Sequence, residues 1–193
     1  MKYNEMTWGQ MEAVINKLGG YDAVMKFLRG EFVVKMIERS FAIWKAIILG
    51  FHQSPSAYCK ALKANGCRIG EYADQILDKI RVSETEVQLD LVVKTVAELG
   101  FKDGACRDAI YARAIELGLE LCPAEVGPAL RLAYLDQPYG EWLRIAMEPI
   151  ADSDGNLKVF EVDHVHDERW LGSCSGDPVD FWRADLQWVF VAP

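Results

Sequence analysis

Residues 118–150, GLELCPAEVGPALRLAYLDQPYGEWLRIAMEPI, decide the fold. Pro123, Pro128, Pro138 and Pro149 recur through this stretch, and a proline inside a helix removes an amide donor and clashes with the preceding turn. Short alternating runs lie between them. Leu130, Leu132 and Tyr134 alternate with Arg131 and Ala133, and Leu143, Ile145 and Met147 alternate with Arg144, Ala146 and Glu148. A period of two sends successive side chains to opposite faces of a strand. Val159 to Val165 and Trp188 to Val191 continue the pattern, so the chain after Gly118 reads as an antiparallel meander.

Upstream of Gly118 the chain reads mainly as helices. Thr7 and Gln10 form a capping box, Met11, Val14, Ile15 and Leu18 share a face, and Gly19-Gly20 stops that helix. Tyr21 to Arg29 makes a second short helix. Phe32 to Gly50 fits a helical stripe through Phe32, Met36, Ser40, Trp44 and Ile48. Its aromatic and β-branched content favours a strand over Phe41 to Leu49. Ser54 and Pro55 open a helix that ends near Asn65-Gly66, and Ile69 to Ile80 makes another. Arg81 to Glu84 is a polar connection and the place for a hinge. Ser83 and Glu86 read as a second capping box, opening a helix over Glu84 to Leu99 with Val87, Leu91, Val92, Val96 and Leu99 on its apolar face. Asp103 caps a last helix running to Leu117. The expected fold class is α+β: a helical N-terminal region over 1–82, then over 83–193 a helix pair packed on the C-terminal antiparallel sheet, the two forming one continuous domain or two units.

The composition narrows the function classes. Of 193 residues, 51% are hydrophobic and 26% charged, a globular balance. The net charge of -8 disfavours nucleic acid, whose binders neutralise phosphates, and disfavours attachment to anionic lipid. Five widely spaced cysteines without a CxxC pair read as free thiols in a reducing compartment. The first residues lack the apolar stretch of a signal peptide, and Phe41 to Phe51 is too short to span a bilayer. A cytoplasmic location is the expectation.

Met6-Thr7-Trp8-Gly9-Gln10-Met11-Glu12, Gly66-Cys67-Arg68-Ile69-Gly70, Leu119 to Pro128 and Asp136 to Ile150 carry a resemblance that covers nearly the whole chain. It resembles a group of uncharacterised proteins from candidate-phylum (Parcubacteria-type) bacteria. The group has no assigned activity, so the resemblance implies a bacterial protein and no catalytic residues.

Four constellations bear on function. Aromatic residues crowd the last third, and Tyr139, Trp142, Trp170 and Trp182, framed by Arg144 and Arg169, fit a binding face for a protein or a small ligand. Large side chains in a thin core are the plainer account of the same density. The helices over 84–118 fit a winged-helix DNA reader presenting Arg107 and Arg113, against the acidic charge balance. His164 and His166 would share one strand face, as in a metal-dependent enzyme, although no third ligand is identifiable and a strand running into a charged turn explains them too. Asp152 to Asn156 resembles the start of a calcium loop, but Leu157 and Asp163 stand where that motif needs Gly and Glu, so it reads as a hairpin turn. No GxGxxG, Walker or HExxH motif occurs, so no cofactor is implied and no nucleophile is identified. A spatial pair of carboxylates stays open. The expected function is a non-catalytic binding module using the aromatic-rich C-terminal sheet.

Overall fold

The computed structural model of the chain describes residues 7–31 and 41–193. The helical stripe read through 32–40 lies outside them. The chain divides into two units, Met1–Glu38 and Arg39–Pro193, so the division expected at 82/83 runs through the second.

The first unit holds α1 (Trp8–Lys17) and α2 (Tyr21–Leu28). The capping box forms: the Gln10 amide donates to Thr7 Oγ1 and the Thr7 amide to Gln10 Oε1. Gly19 and Gly20 turn the chain between the helices with φ of 100° and 85°, a region costly for residues with a Cβ. Neither helix contains a buried residue.

The second unit is built on a curled sheet. In chain order it runs through β1 (Lys45–Leu49), α3 (Pro55–Ala64), β2 (Arg68–Ile69), α4 (Glu71–Leu77), β3 (Val87–Thr95), β4 (Ala105–Cys106), α5 (Arg107–Glu116) and α6 (Val126–Ala133). There follow β5 (Trp142–Ile145), β6 (Ile150–Ala151), β7 (Leu157–Val165), β8 (Glu168–Ser175), β9 (Phe181–Trp182) and β10 (Gln187–Val191). The strand order is β1-β3-β10-β5-β7-β8-β2, with β6 beside β7, and β4 pairs separately with β9. The α+β class holds, and the strand β1, the helix α3 and the Asp152 to Asn156 hairpin turn stand where they were expected.

Three expectations are corrected. Glu84 to Leu99 is not a helix: its centre is β3, paired with β1 on one side and β10 on the other. Val87, Leu89, Leu91, Val93 and Thr95 also alternate, and two flanking strands outweigh a helical stripe that a nine-residue β-rich run satisfies by coincidence. The helix pair on a sheet therefore does not form. Leu130 to Tyr134 belongs mostly to α6, because Pro128 stands in its first turn, where amides need no partner. Finally the sheet is mixed rather than an antiparallel meander. The strands β10 and β5 run parallel, as do β2 and β8.

The helix α6 packs over β1, β7 and β8. Gly127 permits this approach: a Cβ there would lie 2.5 Å from Phe160 Cδ2. The connection expected to hinge is instead tied down by Glu125. Its Oε2 accepts from the Ser83 amide at 2.7 Å and hydroxyl at 2.8 Å. Its Oε1 accepts from the Gly50 amide at 2.8 Å and the Tyr58 hydroxyl at 2.7 Å. With four donors, this buried carboxylate is satisfied and structural. Ser83 thus serves Glu125 rather than a capping box. A reciprocal box of that kind forms at Thr95 and Glu98 instead, turning the chain after β3.

Candidate functional site

The strand β7 reads Leu-Lys-Val-Phe-Glu-Val-Asp-His-Val. Alternation sends Phe160, Val162 and His164 to the face that α6 covers, and Val159, Glu161, Asp163 and Val165 to the other. Register then builds two transverse rows on that second face. Trp142 of β5 and Trp170 of β8 stand opposite Asp163 on either side, and Arg144 and Gly172 stand opposite Glu161.

At one end this face is closed. The Arg144 guanidinium lies 5.2 Å over the Trp182 ring, Trp182 meets Trp188 edge-on at 5.1 Å, and Trp188 meets Tyr111 of α5 at 5.6 Å. At the other end it is open. A cleft of about 350 Å³ runs over the sheet there, with Tyr72 and Glu71 at the start of α4 as one wall and Trp142 and Trp170 as others. Glu161 and Asp163 line its floor, and Gly172 contributes no side chain to cover them. Asp163 Oδ2 and Glu161 Oε1 lie 3.2 and 4.0 Å from where a Cβ on Gly172 would stand. The two oxygens are separated by at most the sum of those distances. Trp142, 42% exposed, also borders a second cleft with Arg144, Arg183 and Asp185.

These carboxyls differ from Glu125. Glu161 has Arg144 at 3.2 Å, yet burial, reinforced by the nearby Asp163 charge, pushes its carboxyl up to about 7 against the pull of Arg144. Burial raises Asp163 to about 6, opposed by Arg131, Arg144 and His164. Asp163 is 4% exposed, and its Oδ1 has no hydrogen-bond partner. The Trp170 Nε1 donor beside it is likewise buried and unpartnered. Unsatisfied buried polar atoms in residues that line a cleft mark a site in a way that a fully bonded carboxylate does not.

The aromatic set expected from the sequence is split by the sheet. Trp142, Arg144, Trp170 and Trp182 lie on the cleft side. Arg169 stands opposite His164 and so on the other face, and Tyr139 packs its ring against His164 at 5.8 Å. Trp188 and Trp182 serve the core, as the plainer account had it, while Trp142 and Trp170 border the cleft.

The DNA-reading geometry is absent because the first of its two helices is β3. Arg107 is only 7% exposed, pairs with Asp108 at 2.8 Å and packs 4.9 Å over Tyr111, so it faces no groove. Arg113 bonds Glu116 and the Leu99 carbonyl. His164 and His166 do not share a face. His166 and Asp167 form the two-residue turn joining β7 to β8, with φ of 53° and 60°, the geometry of a type I′ hairpin. His164 Nδ1 lies 2.6 Å from the Gln137 carbonyl. Among the described residues no three His, Cys, Asp or Glu side chains converge on a metal position, and no helix is long and apolar enough to cross a membrane. The five cysteines are free thiols.

Glu161 and Tyr72 were missed in the sequence. The signal was present for the first: two acids at alternate positions among Val159, Phe160, Val162 and Val165 of one strand place carboxylates on the same face. Comparison of the chain with protein-family models, with curated proteins and with solved structures found no match. What the cleft recognises is therefore read from its own chemistry.

Proposed function

We propose that the chain is a non-catalytic binding module that takes a small ligand in the cleft between Trp142, Trp170 and Tyr72. The supporting observation is the buried, unpartnered Asp163 Oδ1 on the floor of an aromatic-walled cleft. A volume of about 350 Å³ suits a small molecule rather than a folded partner. The partly exposed Trp142 supplies apolar contact area at low entropic cost, as binding sites use tryptophan. Acidic lining disfavours a phosphate-bearing partner.

The test is a titration of tryptophan emission with three probe classes: an organic cation, a neutral polyol and an organic anion. One class should change the emission, and Trp142→Ala should abolish the change. If no class gives a Trp142-dependent change, the reading fails. If a bound probe is chemically converted, and Glu161→Gln stops the conversion, the pair Glu161 and Asp163 is an acid–base catalyst instead.

A further inference from the structure

We infer that the cleft recognises an organic cation, an ammonium group carrying a nearby hydroxyl or ether oxygen; this deepens the binding reading and rests on it. Three features combine. The lining acids are Glu71, Glu161 and Asp163, and the sole basic group among the lining residues is the turn residue His166. The walls are aromatic, Tyr72, Trp142 and Trp170, and aromatic rings attract cations through the negative centres of their faces. Two unpartnered polar atoms of the lining residues match such a ligand in kind, Asp163 Oδ1 as an acceptor and the Trp170 indole N–H as a donor. Both are enclosed in the unliganded chain, so the ligand meets them only as those side chains turn toward the cleft, while Asp163 Oδ2 already faces the space beside Gly172.

The charges around the two acids give Asp163 no direct ion pair among the described residues, although Arg131, Arg144 and His164 pull against the effect of its burial. Arg144 of β5 is engaged by Glu161. Arg131 of α6 lies on the opposite side of the strand and donates to the backbone carbonyls of Asp163 and Tyr134 and to Gln137 Oε1, not to the Asp163 carboxyl. His164 points to the same opposite face. Lys158 sits 4.7 Å over the Tyr72 ring and 4.0 Å from Asp152. An anion would meet three acids, and a neutral polyol would leave the buried charge of Asp163 as it is. A cation removes that penalty on binding, and the aromatic walls suit an alkylated ammonium better than a metal ion.

The chain is titrated with choline, tetramethylammonium and dimethylbutanol, the uncharged carbon isostere of choline, following tryptophan emission. Choline should bind about tenfold or more tightly than the isostere. Its affinity should rise about tenfold between about pH 5 and about pH 8 as the two carboxyls ionise. Asp163→Asn should weaken choline about tenfold and flatten the pH profile, whereas His166→Asn, whose backbone tolerates positive φ, should leave the profile in place. Trp170→Phe should weaken choline and spare tetramethylammonium, which has no oxygen to meet the indole N–H. Equal binding of choline and its isostere overturns the inference, as does a pH-independent affinity. The pH profile of the unsubstituted chain carries the same decision without any variant. A polyol or anion that binds in a Trp142-dependent way while choline does not sinks the cation and leaves the binding module standing; no Trp142-dependent probe at all sinks both.

Discussion

Asp163 Oδ2 lies 3.2 Å from the position a Cβ on Gly172 would occupy, so the missing side chain of one strand keeps open the carboxylate of the next. Gly172 has no positive φ that would demand glycine. Its role is therefore spatial. Gly172→Ala should fold, cost no more than about 1–2 kcal/mol from the tight contact, and remove the Trp142-dependent emission change. Thermal melting and the probe titration measure the two effects separately; unaltered binding would show that the cleft floor is not used.

A second expectation concerns pH. Asp163 holds its proton to about 6 in the fold, against an ordinary 3.8, and Glu161 to about 7 against 4.5. The folded chain then binds more protons than the unfolded one through that window. The contribution of these groups to stability is complete below about pH 4 and is lost as pH rises through 6 and 7. Asp163→Asn cannot ionise. It should stabilise the protein at about pH 8 by about 1–2 kcal/mol, discounted for solvent in the open cleft, and give no gain at about pH 4. Urea unfolding at the two pH values reads this directly, and a larger gain at the acidic value would contradict it.

A third concerns the satisfied carboxylate. Glu125→Gln turns one acceptor into an amide donor facing the Ser83 amide or the Gly50 amide, which already donate. A loss of about 3 kcal/mol or more follows from a buried network left with opposed donors. Ser83→Ala, which removes one of four donors, should cost about 1 kcal/mol. Comparable losses for the two variants would mean that Glu125 does not act as the shared acceptor.

Local signals in the sequence were read well where they were self-contained. The Thr7–Gln10 box, the Ser54–Pro55 start and the Asp152 to Asn156 turn each depend on neighbours a few residues away, and each forms. Reading failed where pairing across the chain decides. Val87 to Thr95 carries both a helical and a strand pattern, and only the presence of β1 and β10 on its two sides settles which one is used. Pro128 argues against a helix by its missing amide, yet it stands in the first turn of α6, where that amide has no partner to lose. The aromatic density was visible, but its division between two faces depends on register, which no window of sequence contains: Trp142 and Trp170 meet Asp163, whereas Arg169 meets His164.

The place of β10 between β3 and β5 sets an order of events in folding. The strands that carry the cleft, β5, β7 and β8, follow one another closely and pair antiparallel. The β1–β3 ladder reaches them only through β10, where Thr95 must find Gln187. Short loops close faster than long ones, so the cleft strands should acquire protected amides first and the β3–β10 ladder last. Pulse-labelled hydrogen exchange during refolding would show it, and early protection of Val93 and Val189 would refute it. On this account the sheet floor of the cleft is a local hairpin assembly, its Tyr72 wall arrives from α4, and the long-range strand fastens the rest of the sheet to them.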